Sequence, residues 1–312
     1  MSELKHYPVM LEECIKGLNL KPNGIYFDGT LGGAGHSYEI LKNSSPNGKL
    51  IATDLDGQAI ERAKIKLSEF DGRFTLVNDN YKNFKNIIYN LGVDNVDGIL
   101  LDFGVSSFQL DDSSRGFSYI AREAELDMRM DQNQSFSAKD VVNGYSESEL
   151  AKIIFEYGED KFARRIAENI IKYRNKKQIE TCGELDDIIA TSIPKKFQND
   201  GHPSKRTFQA IRIEVNGELD GLKNAVFEMT RSLKKGGRIV ILTFHSLEDR
   251  IVKQAFNEMA ADCICDKSLP VCVCGHKREI NIVTKHPLVA SEKELSENSR
   301  SKSAKLRIAE KL

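Results

Sequence analysis

Short apolar runs alternate with amphipathic segments through the first third of the chain, and this alternation limits the fold more than any other feature. The segments between the runs, such as residues 59–67 and 84–91, repeat apolar side chains with helical spacing. Because this order favours parallel pairing of the strands, it predicts a parallel sheet with helices on both faces. Ligands of such sheets bind at the carboxyl ends of the strands. The four runs are Ile25–Phe27, Leu50–Ala52, Phe74–Val77 and Val96–Leu101.

The pattern changes near residue 113, after which strand signals are sparse and charged helical segments dominate. These segments are 147–156, 161–173 and 182–192. A further helix over 206–219 and a buried strand over 238–244 follow. Since the sheet pattern resumes there, we expect one α/β domain, made of 1–112 and 204–312, with a helical insertion over 113–203.

Composition excludes several classes of protein. The chain has 312 residues, 40% of them hydrophobic, and a formal net charge of -1, so any role with nucleic acid needs a local basic face. No apolar run reaches the roughly 18 to 20 residues that span a bilayer, and the N-terminal residues lack the apolar region of a signal peptide. We therefore expect a cytoplasmic protein with no membrane partner.

A glycine-rich turn, Asp28–His36, follows the first apolar run and leads into a predicted helix near His36. Glycines let backbone amides approach a ligand closely, and the helix N-terminus offers further donors. The turn alone is compatible with a dinucleotide, a phosphate, a methionine carboxylate or a simple strand-to-helix connection. Its glycines run G-x-x-G-G-x-G, which differs from the G-x-G-x-x-G pattern of dinucleotide sites.

Acidic residues near this turn narrow the choice of ligand. Asp54 ends the second run about 20 residues beyond the last glycine, where a carboxylate accepts hydrogen bonds from ribose hydroxyls. Asp28, directly before the turn, suits a cationic amine and not a pyrophosphate. These acids favour S-adenosylmethionine over NAD. After the third run, a polar side chain of Asn78–Tyr81 could meet the adenine amine, and Tyr81 is either an adenine contact or a core aromatic.

The fourth run ends in Asp102, with the hydroxyls of Ser106 and Ser107 close behind. Methylation of an exocyclic amine needs that amine held in line with the methyl donor, and a hydrogen-bond acceptor can hold it. Asp102 is our candidate for this catalytic role, and the alternative is a strand-end residue that bonds only backbone amides. The cysteines Cys14 and Cys182 lie away from these strand ends, so nothing indicates a covalent route.

Ten motifs, in order along nearly the whole chain, closely resemble the bacterial small-subunit ribosomal RNA cytosine-N4 methyltransferases, the RsmH or MraW family. They are His6–Met10, Asp28–Ser37, Leu100–Ser107, Gln109–Asp112, Arg115–Ser118, Leu126–Asp131, Tyr157–Ala163, Arg206–Arg212, Phe244–Arg250 and Asn298–Ala304. The resemblance implies a class I (Rossmann-like) S-adenosylmethionine-dependent methyltransferase with an inserted helical domain for substrate recognition. The implied activity is N4-methylation of a cytidine in the decoding region of 16S ribosomal RNA.

The same resemblance implies particular partners and cofactor contacts. The partner would be small-subunit ribosomal RNA or the 30S subunit, and a homodimer is left open. Carried over by position, the S-adenosylmethionine contacts fall on Ala34, Gly35, His36, Asp54, Tyr81, Asp102 and Gln109.

Basic residues form the local face that RNA binding would need, although any single lysine is more often a solvated surface residue. They are Lys161, Arg164, Arg165, Lys172, Arg174, Lys176, Lys177, Lys195, Lys196, Lys205, Arg206 and the basic residues of Ser299–Arg307. A target base must leave its stack, so Phe108 and Phe117 are either stacking partners or core residues.

Four cysteines in two C-x-C pairs, followed by His276, resemble a zinc ligand set, but C-x-C is tighter than the usual spacing. We therefore expect no metal and a reduced or redox-sensitive loop. The segment His245–Asp249 carries His, Ser and Asp, yet adjacency makes no triad and no nucleophile elbow is present, so we expect it to shape the target-base side of the pocket. The two competing functions are an NAD-dependent oxidoreductase and a non-catalytic RNA-binding protein.

Overall fold

A computed structural model describes residues 7–198, 201–266, 269 and 271–312. His6, which begins the first motif, lies outside the described residues. The chain divides into two compact units: the first comprises Met1–Gly104 and Gly221–Leu312, and the second comprises Val105–Asp220.

Seven strands form one mixed sheet in the first unit. They are β1 (Ile25–Asp28), β2 (Lys49–Asp54), β3 (Phe74–Asn78), β4 (Val96–Asp102), β5 (Leu233–Thr243), β6 (Ile280–Ile282) and β7 (Lys305–Lys311). Their order is β3-β2-β1-β4-β5-β7-β6. The pairs among β1 to β5 are parallel, which confirms the predicted parallel sheet and its five strands.

The last two strands were not predicted. β7 pairs antiparallel with β5 and with β6. Its sequence alternates Leu306 and Ile308 with charged residues, which is typical of an antiparallel strand, but its lysines and arginines read as a basic segment. Arg307 was expected to belong to this basic segment. In the structure its guanidinium is buried and donates to Asp249 at 2.6 Å. Arg307 is therefore not available for phosphate contact.

The described part of the chain contains thirteen helices. They are α1 (Leu11–Leu18), α2 (Gly35–Asn43), α3 (Gly57–Lys66), α4 (Phe84–Asn90), α5 (Ser107–Asp111), α6 (Ala138–Gly144), α7 (Glu147–Glu156), α8 (Ala163–Arg174), α9 (Cys182–Ser192), α10 (Lys205–Asn216), α11 (Leu222–Arg231), α12 (Ser246–Met259) and α13 (Glu292–Glu297). Capping boxes begin α7, α9 and α12, where a side chain accepts from the third helical amide and a glutamate reaches back. Within the described part of the chain, none of them has the length and apolar character of a bilayer-spanning helix.

The second unit has its own core, built from α6 to α10 and the loops before them. Phe208, Ile211 and Val215, on the apolar face of α10, are buried in this core. The predicted insertion, 113–203, lies inside this unit. The unit extends to Asp220 because α10 belongs to the same core, although its position in the chain suggests the flanking domain.

Loop motifs of the second unit are bound to one another by buried hydrogen bonds. The Arg115 guanidinium is buried and donates to the carbonyls of Arg129, at 2.8 Å, and Met130. Gly116 has a φ of 68°, and a Cβ added there would lie 2.3 Å from the Glu125 carbonyl oxygen. Only glycine fits that position without displacing the backbone. These motif residues thus hold the loop that precedes α6.

Candidate functional site

The glycine-rich turn leaves a set of backbone amides without acceptors. Ala34 precedes α2 in the left-handed region, with a φ of 54°, and its methyl side chain cannot cap the helix. Among the described residues, the amides of Gly33, Gly35 and His36 have no acceptor. A Cβ on Gly35 would lie 2.2 Å from Cγ of Pro8, so the glycine is needed for close packing. The beginning of α2 therefore offers donors to an anionic group such as a carboxylate.

Asp28 stabilises this turn by hydrogen bonds to its residues and to the first turn of α2. Its carboxylate accepts hydrogen bonds from the Ser37 hydroxyl at 2.7 Å and from the Thr30 amide at 3.1 Å. The residue is only 1% exposed, and burial raises the pKa of its carboxyl group. Asp28 is thus held within the fold, and its suitability for a cationic amine stays a prediction.

Asp54 joins the turn to the end of β2. One carboxylate oxygen accepts from the Gly32 amide at 2.7 Å, and the other accepts from the Asp56 amide at 2.9 Å. Burial raises the pKa of Asp54 to about 6, and the nearby negative charges of Asp56 and Asp28 add to the increase. Each oxygen keeps a second lone pair, which is the acceptor that a ribose hydroxyl requires.

Asp102, at the end of β4, has an unsatisfied oxygen. Its amide donates to the Thr30 hydroxyl at 2.6 Å, but its buried Oδ1 has no hydrogen-bond partner among the residues that the structure describes. The side chain is 25% exposed. Burial raises the pKa of Asp102 to about 8, and the negative charges of Asp28 and Glu248 contribute further. A buried polar atom without a partner is costly, which makes this oxygen a candidate for contact with a ligand.

His36 does not supply a counter-charge to Asp102. Its Nδ1 lies 3.7 Å from Asp102 Oδ2, while its Nε2 lies 3.1 Å from the Val9 carbonyl oxygen. Since a carbonyl only accepts, Nε2 carries the proton and Nδ1 presents a lone pair to Asp102. Burial lowers the pKa of His36 to about 4, so the ring is neutral at pH 7.

Asp28, Asp54 and Asp102 stand at the ends of three adjacent strands and are called the acidic edge below. Among the described residues, no Lys or Arg nitrogen lies within 4.0 Å of these carboxylates. S-adenosylmethionine carries a sulfonium and an ammonium group, so its charge fits this edge, whereas a pyrophosphate would be repelled. The free amides at the start of α2 suit its carboxylate.

Tyr81 and Phe103 supply aromatic surface next to the acidic edge. Tyr81 begins a 3-10 turn after β3, and its ring centroid lies 5.6 Å from that of Phe103. Asn78, a candidate for the adenine amine, donates its amide hydrogens to the carbonyls of Asp54 and Leu55. Its donors thus stabilise the connection between β2 and α3.

Gln109, the seventh predicted cofactor contact, belongs to the second unit. Its side-chain oxygen accepts from the Ser106 backbone amide at 3.0 Å, and its backbone amide donates to the Ser106 hydroxyl at 3.2 Å. These bonds form the capping box of α5. Its role as a cofactor contact stays a prediction. Phe117 is buried in the core of this unit, so of its two interpretations the core one holds.

The segment His245–Asp249 begins α12. His245 caps the helix by accepting from the Glu248 amide, and Glu248 accepts from the Phe244 amide at 3.0 Å. Asp249 pairs with Arg307 of β7. Sequence reasoning missed three residues near the acids: the buried Glu248, which adds negative charge near Asp102, and Thr30 and Ser37, which form hydrogen bonds with Asp102 and Asp28. The only signal for Thr30 and Ser37 is their place in or next to the glycine-rich turn, and the only signal for Glu248 is its place in the segment His245–Asp249.

The chain is similar to known proteins over nearly its whole length. The sequence profile described as the MraW methylase family matches residues 3–312. A ribosomal RNA small subunit methyltransferase H 2 from Agathobacter rectalis is 56% identical over 310 residues, covering 99% of each chain. A ribosomal RNA small subunit methyltransferase H from Clostridioides difficile is 53% identical over 311 residues, covering 99% of this chain and 100% of the relative. Among solved structures, a putative rRNA-methylase from Clostridium thermocellum has a TM-score of 0.45 at 11% identity, covering 98% of this chain and 100% of that one.

Proposed function

The chain belongs to the MraW methylase family, and on that premise we propose that it transfers a methyl group from S-adenosylmethionine to N4 of a cytidine in small-subunit ribosomal RNA. The names of its relatives support the ribosomal RNA substrate. The choice of cytidine N4 in the decoding region rests on the motif resemblance. The observation that carries the proposal is the buried, unpartnered oxygen of Asp102 within an acidic edge that has no counter-charge.

Six residues of the first unit are proposed to hold the cofactor: Ala34, Gly35, His36, Asp54, Tyr81 and Asp102. The amides of Gly35 and His36, with Ala34 before them, bind its carboxylate. Asp54 accepts from the ribose, and Tyr81 packs against the adenine. When bound, S-adenosylmethionine supplies an electrophilic methyl group on a sulfonium sulfur. Asp28 adds negative charge that favours such a cationic ligand without touching it.

Asp102 is the proposed catalytic residue. Its Oδ1 accepts a hydrogen bond from the exocyclic amine and holds the nitrogen in line for transfer. That role requires the carboxylate form, yet burial raises the pKa of the free site to about 8. A cation bound beside Asp102 lowers this pKa, because it stabilises the ionised form. Cofactor binding therefore favours the ionised form of Asp102, which is the form that accepts the hydrogen bond.

The second unit offers a surface suited to single-stranded RNA. The Phe197 ring is 44% exposed and has Lys161 Nζ at 4.0 Å and Lys196 Nζ at 5.0 Å from its centroid. The Phe162 ring lies 5.3 Å from it. We call these four residues the lysine–phenylalanine cluster. Aromatic stacking of bases beside cationic side chains is the usual chemistry of RNA contact.

A transfer experiment tests the proposal. The protein is incubated with methyl-labelled S-adenosylmethionine and small ribosomal subunits from cells that lack the modification, and the RNA is digested to nucleosides. Label on N4-methylated cytidine is the expected result. RNA binding without transfer would support a non-catalytic binding protein, and binding of NAD with hydride transfer would support an oxidoreductase. Sedimentation of the same protein tests the homodimer that the sequence leaves open.

A further inference from the structure

The long connection between α12 and β6 holds four cysteines that the proposed methyl transfer does not use. They are Cys263, Cys265, Cys272 and Cys274. The sequence places them in two separate C-x-C pairs, seven residues apart. In the structure, all four sulfur atoms lie within 4.8 Å of one another. The fold has thus brought both pairs together into one cluster.

The distances between the sulfurs match a tetrahedral metal site. Cys263 and Cys274 Sγ are 3.8 Å apart, Cys265 and Cys272 Sγ are 4.0 Å apart, and Cys272 and Cys274 Sγ are 3.6 Å apart. Four sulfurs at about 2.3 Å from one zinc ion stand about 3.8 Å from each other in a regular tetrahedron. A disulfide needs about 2.05 Å, so these sulfurs are not placed as bonded pairs. We propose that Cys263, Cys265, Cys272 and Cys274 bind one structural zinc ion.

Backbone amides around the cluster are aimed at the sulfurs. The amides of Cys265, Val273 and His276 donate to the sulfurs of Cys263, Cys265 and Cys274, each at 3.4 Å. Such bonds stabilise the thiolate form that a metal requires. Binding displaces the proton of each protonated thiol, and four thiolates around one Zn²⁺ leave a net charge of −2. The amide donors offset this charge in the loop.

His276 is not a ligand in this arrangement. Its Nε2 lies 3.0 Å from the carbonyl oxygen of Glu258, near the end of α12. The imidazole therefore anchors the loop to the helix, while the backbone amide of the same residue faces Cys274. The sequence left five candidate ligands, and the geometry selects the four sulfurs.

A metal also accounts for the close approach of the two C-x-C pairs in a segment that lacks regular secondary structure among its described residues. Among its described residues, 260–266, 269 and 271–279, no helix or strand occurs. Segments of this length without secondary structure are uncommon in compact domains unless another interaction orders them. The two ends are joined by the bond from the Glu279 amide to the Met259 carbonyl, at 2.8 Å. A zinc ion adds a strong link between the two C-x-C pairs inside the loop, as it does in small metal-ordered domains.

Metal analysis of the full chain, produced without a histidine tag, tests the proposal. We expect about one zinc per chain by plasma mass spectrometry. The double substitution Cys265→Ser with Cys272→Ser should abolish zinc binding. Cys182→Ala, which removes a cysteine of the second unit, and His276→Ala should both retain it. Loss of zinc in His276→Ala would overturn the all-sulfur ligand set.

Two further measurements use the wild-type protein and therefore test the proposal even if a serine variant folds poorly. Co²⁺ added to the reduced, metal-free wild-type protein should give the visible absorption bands of tetrahedral thiolate cobalt. Four thiols of the native protein should react with a thiol reagent only after a chelator removes the metal. Wild-type protein that contains no zinc and takes up no Co²⁺ would overturn the proposal, and so would iron in place of zinc or two disulfides in the purified protein.

Discussion

The acidic edge of the first unit and the lysine–phenylalanine cluster of the second are opposite in charge but alike in one respect. Neither has its counter-charge: within the described chain no carboxylate oxygen lies within 4.0 Å of Lys161 or Lys196, and the acidic edge has no Lys or Arg that close. Asp249 and Lys172 behave differently, because Arg307 and Glu168 neutralise them. Because these two ion pairs are satisfied within the fold and the other two sets are not, we propose that the unpaired sets bind ligands of opposite charge.

Removing the unpaired acceptor should have the largest effect. Asp102→Ala should lower the rate of methyl transfer by about 100-fold or more, because the substrate amine loses the group that positions it. The rate constant under saturating RNA and cofactor, measured with labelled S-adenosylmethionine, checks this. RNA affinity should change little, since one hydrogen bond to the target amine is a small part of a contact dominated by the phosphate backbone.

The matched control is Asp94→Ala, which removes an exposed carboxylate from the same unit. It should leave transfer at the wild-type rate. Full methylation by Asp102→Ala, together with normal cofactor affinity, would remove Asp102 from the mechanism and leave it as a strand-end residue.

Substitution in the lysine–phenylalanine cluster should have the next largest effect. Lys161→Ala, Lys196→Ala and Phe197→Ala, combined, should weaken RNA binding by at least about tenfold at moderate salt, because two phosphate contacts and one stacking surface are lost. Titration at several salt concentrations is the measurement, and the salt slope should become shallower by about one for each lysine. Lys172→Ala, which removes a lysine already paired with Glu168, should change binding little. Equal losses in both variants would contradict the distinction between paired and unpaired charges.

The acidic edge could be predicted from the sequence more completely than the lysine–phenylalanine cluster. Strands β1 to β5 and the acids Asp54 and Asp102 follow from contiguous apolar runs and from where they end. The lysine–phenylalanine cluster was only partly predicted: Lys161 and Lys196 belonged to a predicted basic set, but no local pattern shows that Lys161 lies close to the ring of Phe197. Likewise, Arg307 looks like a phosphate contact until β7 is known to bury it. Pairing depends on residues distant in the chain, and local patterns do not report it.

The effect of pH on cofactor binding is a further test of the acidic edge. We expect it to be smaller than the effects of the substitutions above. A cationic ligand lowers the pKa of Asp102 from about 8, so its binding releases a proton. Affinity for S-adenosylmethionine should therefore rise several-fold between pH 6 and pH 8, with an upper limit of about tenfold per pH unit for one proton. Calorimetry in buffers of different ionisation enthalpy measures both quantities. Asp102→Asn should flatten the dependence, and an unchanged dependence in that variant would assign the proton to another group.

The smallest expected effect concerns stability without ligand, where an unpaired acid should cost the fold more as pH rises. The pKa of Asp102 is about 8 in the folded protein, against an ordinary value of 3.8. Between these values the folded state holds more protons than the unfolded state, so the free energy of unfolding falls as pH increases. Asp54, with its pKa raised to about 6, acts in the same direction over the lower part of the range.

Urea denaturation at pH 6 and pH 8 measures this slope, to which Asp102 contributes at most about 1.4 kcal/mol per pH unit. Asp102→Asn cannot ionise, so its stability should fall less over this interval than that of the wild type, whereas Asp94→Asn should keep the wild-type slope. Identical slopes for all three proteins would mean that Asp102 already has a counter-charge within the fold. Saturating S-adenosylmethionine should also reduce the wild-type slope, because the ligand supplies the positive charge that the acidic edge lacks.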